Sequence, residues 1–160
     1  MSGDARFEDG AGQPLRLRAF DTDDLAVISG LVQDAVFPAS EMRWEQGARR
    51  FGLLLNRFRW EDAPRAEAQG RVYERVQSVL AFEDVLAVQS RGVTPGESET
   101  VLSLLAVGFE PGADGTGEVL LTLAGDGDIR LQVEALEAAL RDVTRPYAAP
   151  SGARPTHPEG

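Results

Sequence analysis

Arginines and aromatic side chains alternate at the end of an apolar segment, and this is the stretch best suited to binding chemistry. In FGLLLNRFRWED, residues 51 to 62, the apolar run is followed by Arg57, Phe58, Arg59 and Trp60. In an extended strand the two arginines project to one face and the two rings to the other. Arginine and tryptophan are enriched at the energetic centres of protein interfaces, and guanidinium groups also match carboxylates and phosphates. The segment therefore predicts a surface that buries its rings and presents two guanidiniums.

Other polar residues interrupt apolar segments in a similar way and extend this set. The candidate binding residues are Arg43, Asn56, Arg57, Arg59, Trp60, Ser90, Arg91 and Arg130. If they form a partner site, replacing Arg57 and Arg59 by Glu should abolish binding and leave the fold intact. The alternative is that Arg57 pairs with Asp34 or Glu134 and holds a helix against the sheet, as charges in strands often do.

Catalytic chemistry has few residues to use in this chain. His157 is the single histidine and lies in a Pro-rich stretch, which argues against a Ser-His-Asp triad or a multi-histidine metal site. Cysteine and lysine are absent, and no phosphate-binding loop or dinucleotide fingerprint occurs. The carboxylates Asp126 and Asp128 in GDGD are better explained by a tight turn than by a metal pair. The sequence therefore predicts no catalytic residue, no metal and no cofactor.

Charge and hydropathy restrict the partners that the chain could have. The 160 residues carry a net charge of −10, and all sixteen basic residues are arginine. Residues 43 to 91 contain nine arginines and seven acids, a net of +2, so the rest of the chain carries −12. An acidic chain repels phosphate backbones, which disfavours general nucleic-acid binding. No apolar run approaches the roughly 20 residues of a membrane span, and we expect a cytoplasmic protein.

The elements that would position these residues are mostly strands. LRLRAF predicts a strand, and the following segment predicts a helix capped by Asp21. Hairpins are predicted around Gln46–Gly47 and around AGDGD, and two strands are predicted between residues 71 and 91 with a break at Glu83 and Asp84. The spacing in Glu134–Val143 predicts a closing amphipathic helix.

This order predicts the α+β class, with helices segregated from a mainly antiparallel sheet or partly closed barrel. We expect seven to eight strands and two helices, and a pleckstrin-homology-like barrel is one arrangement that fits the order. Residues 14–145 are predicted as a single domain between disordered tails at 1–13 and 146–160. Monomer and homodimer remain open.

Several blocks resemble the signature stretches of an uncharacterised bacterial family, domain of unknown function 2948. The blocks are DTDDLAVISGLVQDAV, RFGLLLNRFRWE, VLAVQSRG, VLSLLAVGFEP and IRLQVEALEAAL, and the likeness covers roughly residues 15 to 145. The resemblance implies no activity. The positions that it marks are Gln33, Asp34, Asn56, Arg57, Phe58, Trp60, Ser90, Arg91, Gly92, Arg130 and Glu134.

Three functions fit these observations to different degrees. The leading expectation is a non-enzymatic protein-interaction module that binds a protein partner through the segment around Arg57, Arg59 and Trp60. The second is a binder of a small anionic metabolite that uses the same arginines. A carboxylate-based enzyme is a remote third, because it needs two converging acids in one pocket, which a sequence does not reveal.

Overall fold

Strands dominate the computed structural model, which describes residues 13–96, 98–150 and 153–155. Within these residues the chain forms eleven β-strands and two α-helices. The strands are β1 (Arg16–Ala19), β2 (Ala35–Pro38), β3 (Met42–Glu45), β4 (Arg50–Phe58), β5 (Glu74–Phe82), β6 (Val85–Arg91), β7 (Val101–Pro111), β8 (Gly117–Leu123), β9 (Asp128–Val133), β10 (Ala138–Asp142) and β11 (Tyr147–Ala148). The helices are α1 (Thr22–Leu31) and α2 (Ala63–Gln69).

The strands form one antiparallel sheet in the order β1-β10-β5-β4-β2-β7-β8-β9-β6. Two short strands lie beside this path, since β3 pairs with β4 and β11 pairs with β5. One half of the sheet is β1-β10-β5-β4, and the other is β2-β7-β8-β9-β6. The halves meet where β2 pairs with β4 through Val36 and Asn56. Both halves contribute side chains to a single hydrophobic core. Among the described residues β1 and β6 do not pair with each other, so the sheet is open.

The first helix forms where the sequence predicts it. The Asp21 side chain accepts a hydrogen bond from the Asp24 backbone N–H at 2.8 Å, and Leu25 and Ile28 are buried. The helix ends at Leu31, and Asp34 adopts a left-handed conformation with a φ of 63°. Residues 32–34 form a turn before β2.

The long central strands follow the alternation of their apolar residues. In β4 the side chains of Phe51, Leu53 and Leu55 are buried on one face. Phe51 lies opposite Phe82 and Leu53 opposite Leu80 in β5. Both predicted hairpins, β3–β4 and β8–β9, are present. The break at Glu83 and Asp84 separates β5 from β6, as predicted. These two strands do not pair with each other: β5 lies between β10 and β4, and β6 pairs with β9.

The predicted closing helix is wrong, because residues 138–142 form the strand β10. Leu136, Leu140 and Val143 repeat at helical spacing, but Leu136, Ala138 and Leu140 also alternate, and these three are buried. Both periods fit such a short segment. Pairing with β1 on one side and β5 on the other satisfies the backbone of β10 and overrides its helix propensity.

The remaining corrections concern the number of strands and the second helix. The sheet has eleven strands rather than seven to eight, and it does not close into a pleckstrin-homology-like barrel. The α+β class with two helices is confirmed, but the second helix is α2. The sequence does carry its signals, since Pro64 stands in the first turn and Gly70 ends the helix with a φ of 65°.

Ordered structure continues past residue 145, where the C-terminal tail was predicted to begin. Tyr147 pairs with Arg75, and the Ala149 backbone N–H donates to the Tyr73 carbonyl at 2.8 Å. The predicted N-terminal tail lies almost entirely outside the described residues, as does the end of the predicted C-terminal tail. No helix among the described residues combines the length and apolar character that a membrane crossing requires.

Candidate functional site

Arg57 lies inside the protein, where acidic side chains from two other segments surround it. Its side chain is 0% exposed and forms a two-bond fork with Glu61, with Nη1–Oε1 2.9 Å and Nη2–Oε2 2.8 Å. Asp142 in β10 lies 3.0 Å from Nη2, and Ser78 in β5 accepts from Nε at 3.0 Å. Asp142 also accepts from the Leu15 backbone N–H at 2.9 Å. The network thus joins three strands and the segment before β1.

Arg57 and Glu61 each favour the charged form of the other. Burial by itself would lower the pKa of Arg57, but its hydrogen bonds and charge pairing with Glu61 and Asp142 raise it above the ordinary value. Burial would likewise raise the pKa of Glu61, but the hydrogen bonds and charge of Arg57 hold it below its usual range. Because Arg57 is fully buried, it serves as an internal salt bridge and not as an exposed contact.

The salt-bridge alternative is therefore correct for Arg57, although the predicted partners were wrong. Glu134 binds Arg49 at 2.9 Å instead. In the described part of the chain the ion-pair partners of Arg57 are Glu61 and Asp142, and Asp34 is not one of them. The sequence-based expectation was that Glu substitutions at Arg57 and Arg59 leave the fold intact. Because they would place carboxylates among buried carboxylates, we expect them instead to destabilise the fold.

Arg59 lies on the same side as Arg57, as strand geometry predicts, and shares Glu61 with it. Its Nε lies 3.6 Å from Glu61 Oε2, and its Nη1 donates to the Glu74 carboxylate. Asp62 Oδ2 lies 3.8 Å from Nη1. The side chain is only 5% exposed, but it lines an open groove, where the surrounding carboxylates hold it in one position.

This groove has a volume of about 790 Å³ and is lined by four arginines; we call it the arginine groove. The four are Arg59, Arg65, Arg71 and Arg145. Its acidic lining residues are Asp62 and Glu74, so the charged side chains sum to +2 in a chain of −10.

Two of the groove arginines are bound to carboxylates and two are available. Arg71 forms a fork with Asp62 at 3.1 and 3.2 Å, and this hydrogen bonding raises the pKa of Arg71. Arg65 and Arg145 form no ion pair with any described residue. Their guanidiniums can therefore donate to a ligand without breaking an existing salt bridge.

Asn56 and Trp60 connect β4 to other segments through hydrogen bonds. The Asn56 side chain donates to the Tyr147 hydroxyl and accepts from Arg75 Nε. Trp60 Nε1 donates to the Gln33 carbonyl at 3.0 Å, and its ring lies edge-on to Phe58 at 4.7 Å between centroids. These residues thus fix the turn before β2 and the C-terminal segment against β4.

The other predicted site residues lie on different strands. Ser90, Arg91 and Arg130 line a shallow recess of about 450 Å³ at the β6–β9 end of the sheet. Arg91 binds Asp128 at 2.7 Å, and Arg130 binds Glu118 at 3.0 Å. Arg43 is exposed on β3 and makes no ion pair with a described residue. The eight candidates do not form one site.

Sequence reasoning missed three of the four groove arginines. Arg65 and Arg71 lie in and just after α2, a helix that the sequence analysis did not predict, and Arg145 lies at the end of the predicted domain. The Pro64 and Gly70 helix signals could have placed Arg65 on a helix. Nothing in the spacing places Arg145 beside it, because that contact depends on the course of the chain after β10.

Comparison with known proteins supports the resemblance noted in the sequence. No match was found among curated proteins or among solved structures. A family model described as Protein of unknown function (DUF2948) matches residues 15–157, which include every strand and both helices. The chain belongs to the domain of unknown function 2948 family.

Proposed function

We propose that this protein is a cytoplasmic, non-enzymatic binder of a small anionic metabolite, which it holds in the arginine groove. The observation that carries the proposal is the concentration of four arginines against two carboxylates in one open groove of an acidic chain. An arginine side chain presents its donors in a planar fork that matches carboxylate and phosphate oxygens.

The two kinds of groove arginine have different parts in this proposal. Arg59 and Arg71 are held in place by Asp62 and Glu74, so little side-chain freedom is lost when a ligand binds beside them. Arg65 and Arg145 supply the positive charge that no described carboxylate neutralises. Such a groove favours a ligand with at least two negative charges over a neutral one.

The dimensions and the charge together indicate the class of ligand. About 790 Å³ is within the range of small-molecule sites, roughly 300 to 1,000 Å³. The polar, open lining favours a phosphorylated or polycarboxylate metabolite over an apolar one. Because the groove is open to solvent, added salt should weaken the interaction.

The arrangement of β6 favours a protein partner as the second candidate. Among the described residues β6 pairs only with β9, and five of its seven residues are exposed, including Leu86 at 45%. An unpaired strand edge can accept a strand from another chain. A partner contact through the segment around Arg57, Arg59 and Trp60, the leading expectation from the sequence, is less favoured, since the Arg57 and Arg59 side chains are buried.

Calorimetric titration with a panel of phosphorylated and polycarboxylate metabolites at low salt tests the groove. We expect at least one compound to bind the unchanged protein and raise its melting temperature. The variant Arg65→Gln/Arg145→Gln should bind that compound at least tenfold more weakly. The two guanidiniums that it lacks form charge-assisted hydrogen bonds to the ligand in the unchanged protein.

Arg43→Gln/Arg91→Gln is the matched control, because it removes the same charge from exposed positions outside the groove. It should bind like the unchanged protein. An equal loss in both double variants would show a general charge effect and not a site. If no compound in the panel binds, the groove proposal fails and the β6 edge becomes the leading candidate.

A further inference from the structure

A second cavity, of about 480 Å³, lies between the sheet and the C-terminal segment. We call it the Arg75 pocket; its lining is Asp34, Val36, Asn56, Arg75, Ser103, Pro150, Ala153, Arg154 and Pro155. It shares no lining residue with the arginine groove. Its lining has two arginines and one carboxylate, whereas the groove has four arginines and two carboxylates. We therefore expect the two sites to bind different ligands.

Arg75 in β5 is half-buried, and its hydrogen bonds within the described part of the chain go to neutral acceptors. Nε donates to the Asn56 side-chain oxygen, and Nη2 donates to the Asn56 carbonyl at 3.0 Å. No described carboxylate lies within 4.0 Å of this guanidinium. Burial lowers the pKa of Arg75, and the negative charge of Asp34 opposes this shift. An anion in the cavity would offset the cost of burying this cation.

Asp34 provides a carboxylate in the same cavity. Its backbone N–H donates to the Leu104 carbonyl at 2.7 Å, which fixes the turn before β2. Its charge acts on Arg75, yet the two side chains are too far apart to form an ion pair. A carboxylate can accept several hydrogen bonds, so Asp34 can receive a donor from a ligand beside its contacts within the chain.

The rest of the lining adds little net charge to this pair. Arg154, the third charged residue, binds Glu67 at 2.9 Å and lies over the Trp60 ring at 5.5 Å. Val36 and Pro150 provide apolar surface, and Ser103 is neutral. The lining of the pocket thus includes one guanidinium and one carboxylate that form no ion pair with each other.

We propose that the Arg75 pocket binds a small zwitterion, an α-amino acid, with its carboxylate on Arg75 and its ammonium at Asp34. The Asp34 carboxylate would repel a purely anionic ligand, and the Arg75 guanidinium would repel a purely cationic one. A molecule that carries both charges can contact both side chains with opposite charges. The apolar walls leave room for an aliphatic side chain.

Thermal-shift and calorimetric titration of the full chain with the twenty standard L-amino acids tests this proposal. We expect at least one of them to bind and raise the melting temperature. Its carboxamide and its N-acetyl derivative, each of which lacks one of the two charges, should bind at least tenfold more weakly. No shift with any amino acid at millimolar concentration, or equal binding of the blocked derivatives, would overturn the proposal.

Two variants locate the binding at this pocket. Asp34→Asn retains a residue that tolerates the left-handed backbone, and Arg75→Gln retains a polar group beside Asn56. Each should weaken amino-acid binding at least tenfold, whereas Arg65→Gln/Arg145→Gln in the groove should leave it unchanged. Circular dichroism checks folding, and if Arg75→Gln does not fold, Asp34→Asn and the blocked derivatives decide the question. Unaltered binding by a folded Asp34→Asn variant would refute the assignment.

Discussion

Replacing Arg57 by Met gives a sharp test of the internal network. The substitution keeps much of the side-chain volume and removes the only cation that contacts Asp142 among the described residues. Asp142 is 4% exposed at its side chain, and Glu61 is 29% exposed. Both carboxylates would remain close together without a neutralising partner, and Ser78 would lose the Nε–H donor.

The size of the effect follows from the burial of the pair. Removing one partner of a buried salt bridge typically costs about 3–5 kcal/mol, because the remaining charge stays buried and uncompensated. A domain of this size is stable by roughly 5–15 kcal/mol, so the variant should fold but be strongly weakened. The corresponding drop in melting temperature is about 6–20 °C.

Urea unfolding followed by circular dichroism measures this loss as a lower midpoint at unchanged slope. Arg50→Met is the matched control, since Arg50 lies on the same strand and binds Glu83 at 2.8 Å, but on the surface. Exposed ion pairs contribute little, so the control should unfold close to the unchanged protein. An Arg57→Met variant no less stable than Arg50→Met would refute the reasoning.

Two further predictions concern pH and backbone packing. Because Arg57 lowers the folded-state pKa of Glu61, this carboxylate stabilises the fold above its unfolded pKa of about 4.3. We expect that stabilisation to be lost as pH falls through the lower folded pKa, and the loss to be absent in Glu61→Gln, as pH-dependent urea unfolding would show. Gly117→Ala would place a Cβ 2.5 Å from the Phe109 ring, so it should lower the free energy of unfolding by roughly 1–3 kcal/mol. Gly108→Ala meets nothing within 4 Å and serves as the control; equal midpoints for the two variants would contradict the steric explanation.

Local signals predicted a large part of the fold. The Asp21 cap and the apolar stripe of α1 are encoded within a few residues, and so is the alternation of Phe51, Leu53 and Leu55 in β4. The turn residues between β8 and β9 likewise specify their hairpin. Composition also places the excess of arginine in the middle of the chain. Such features could be predicted because each depends on neighbours in the sequence.

Non-local contacts decided the remainder. Residues 138–142 form a strand because β1 and β5 lie on either side of them, although their own spacing also fits a helix. Asp142 stands 85 positions from Arg57, so the sequence shows two opposite charges but not their contact. The sequence by itself determined an acidic α+β chain, rich in arginine and poor in catalytic side chains. Only the tertiary structure decided which guanidiniums are buried and which line a groove, because burial and pairing depend on segments that are distant along the chain.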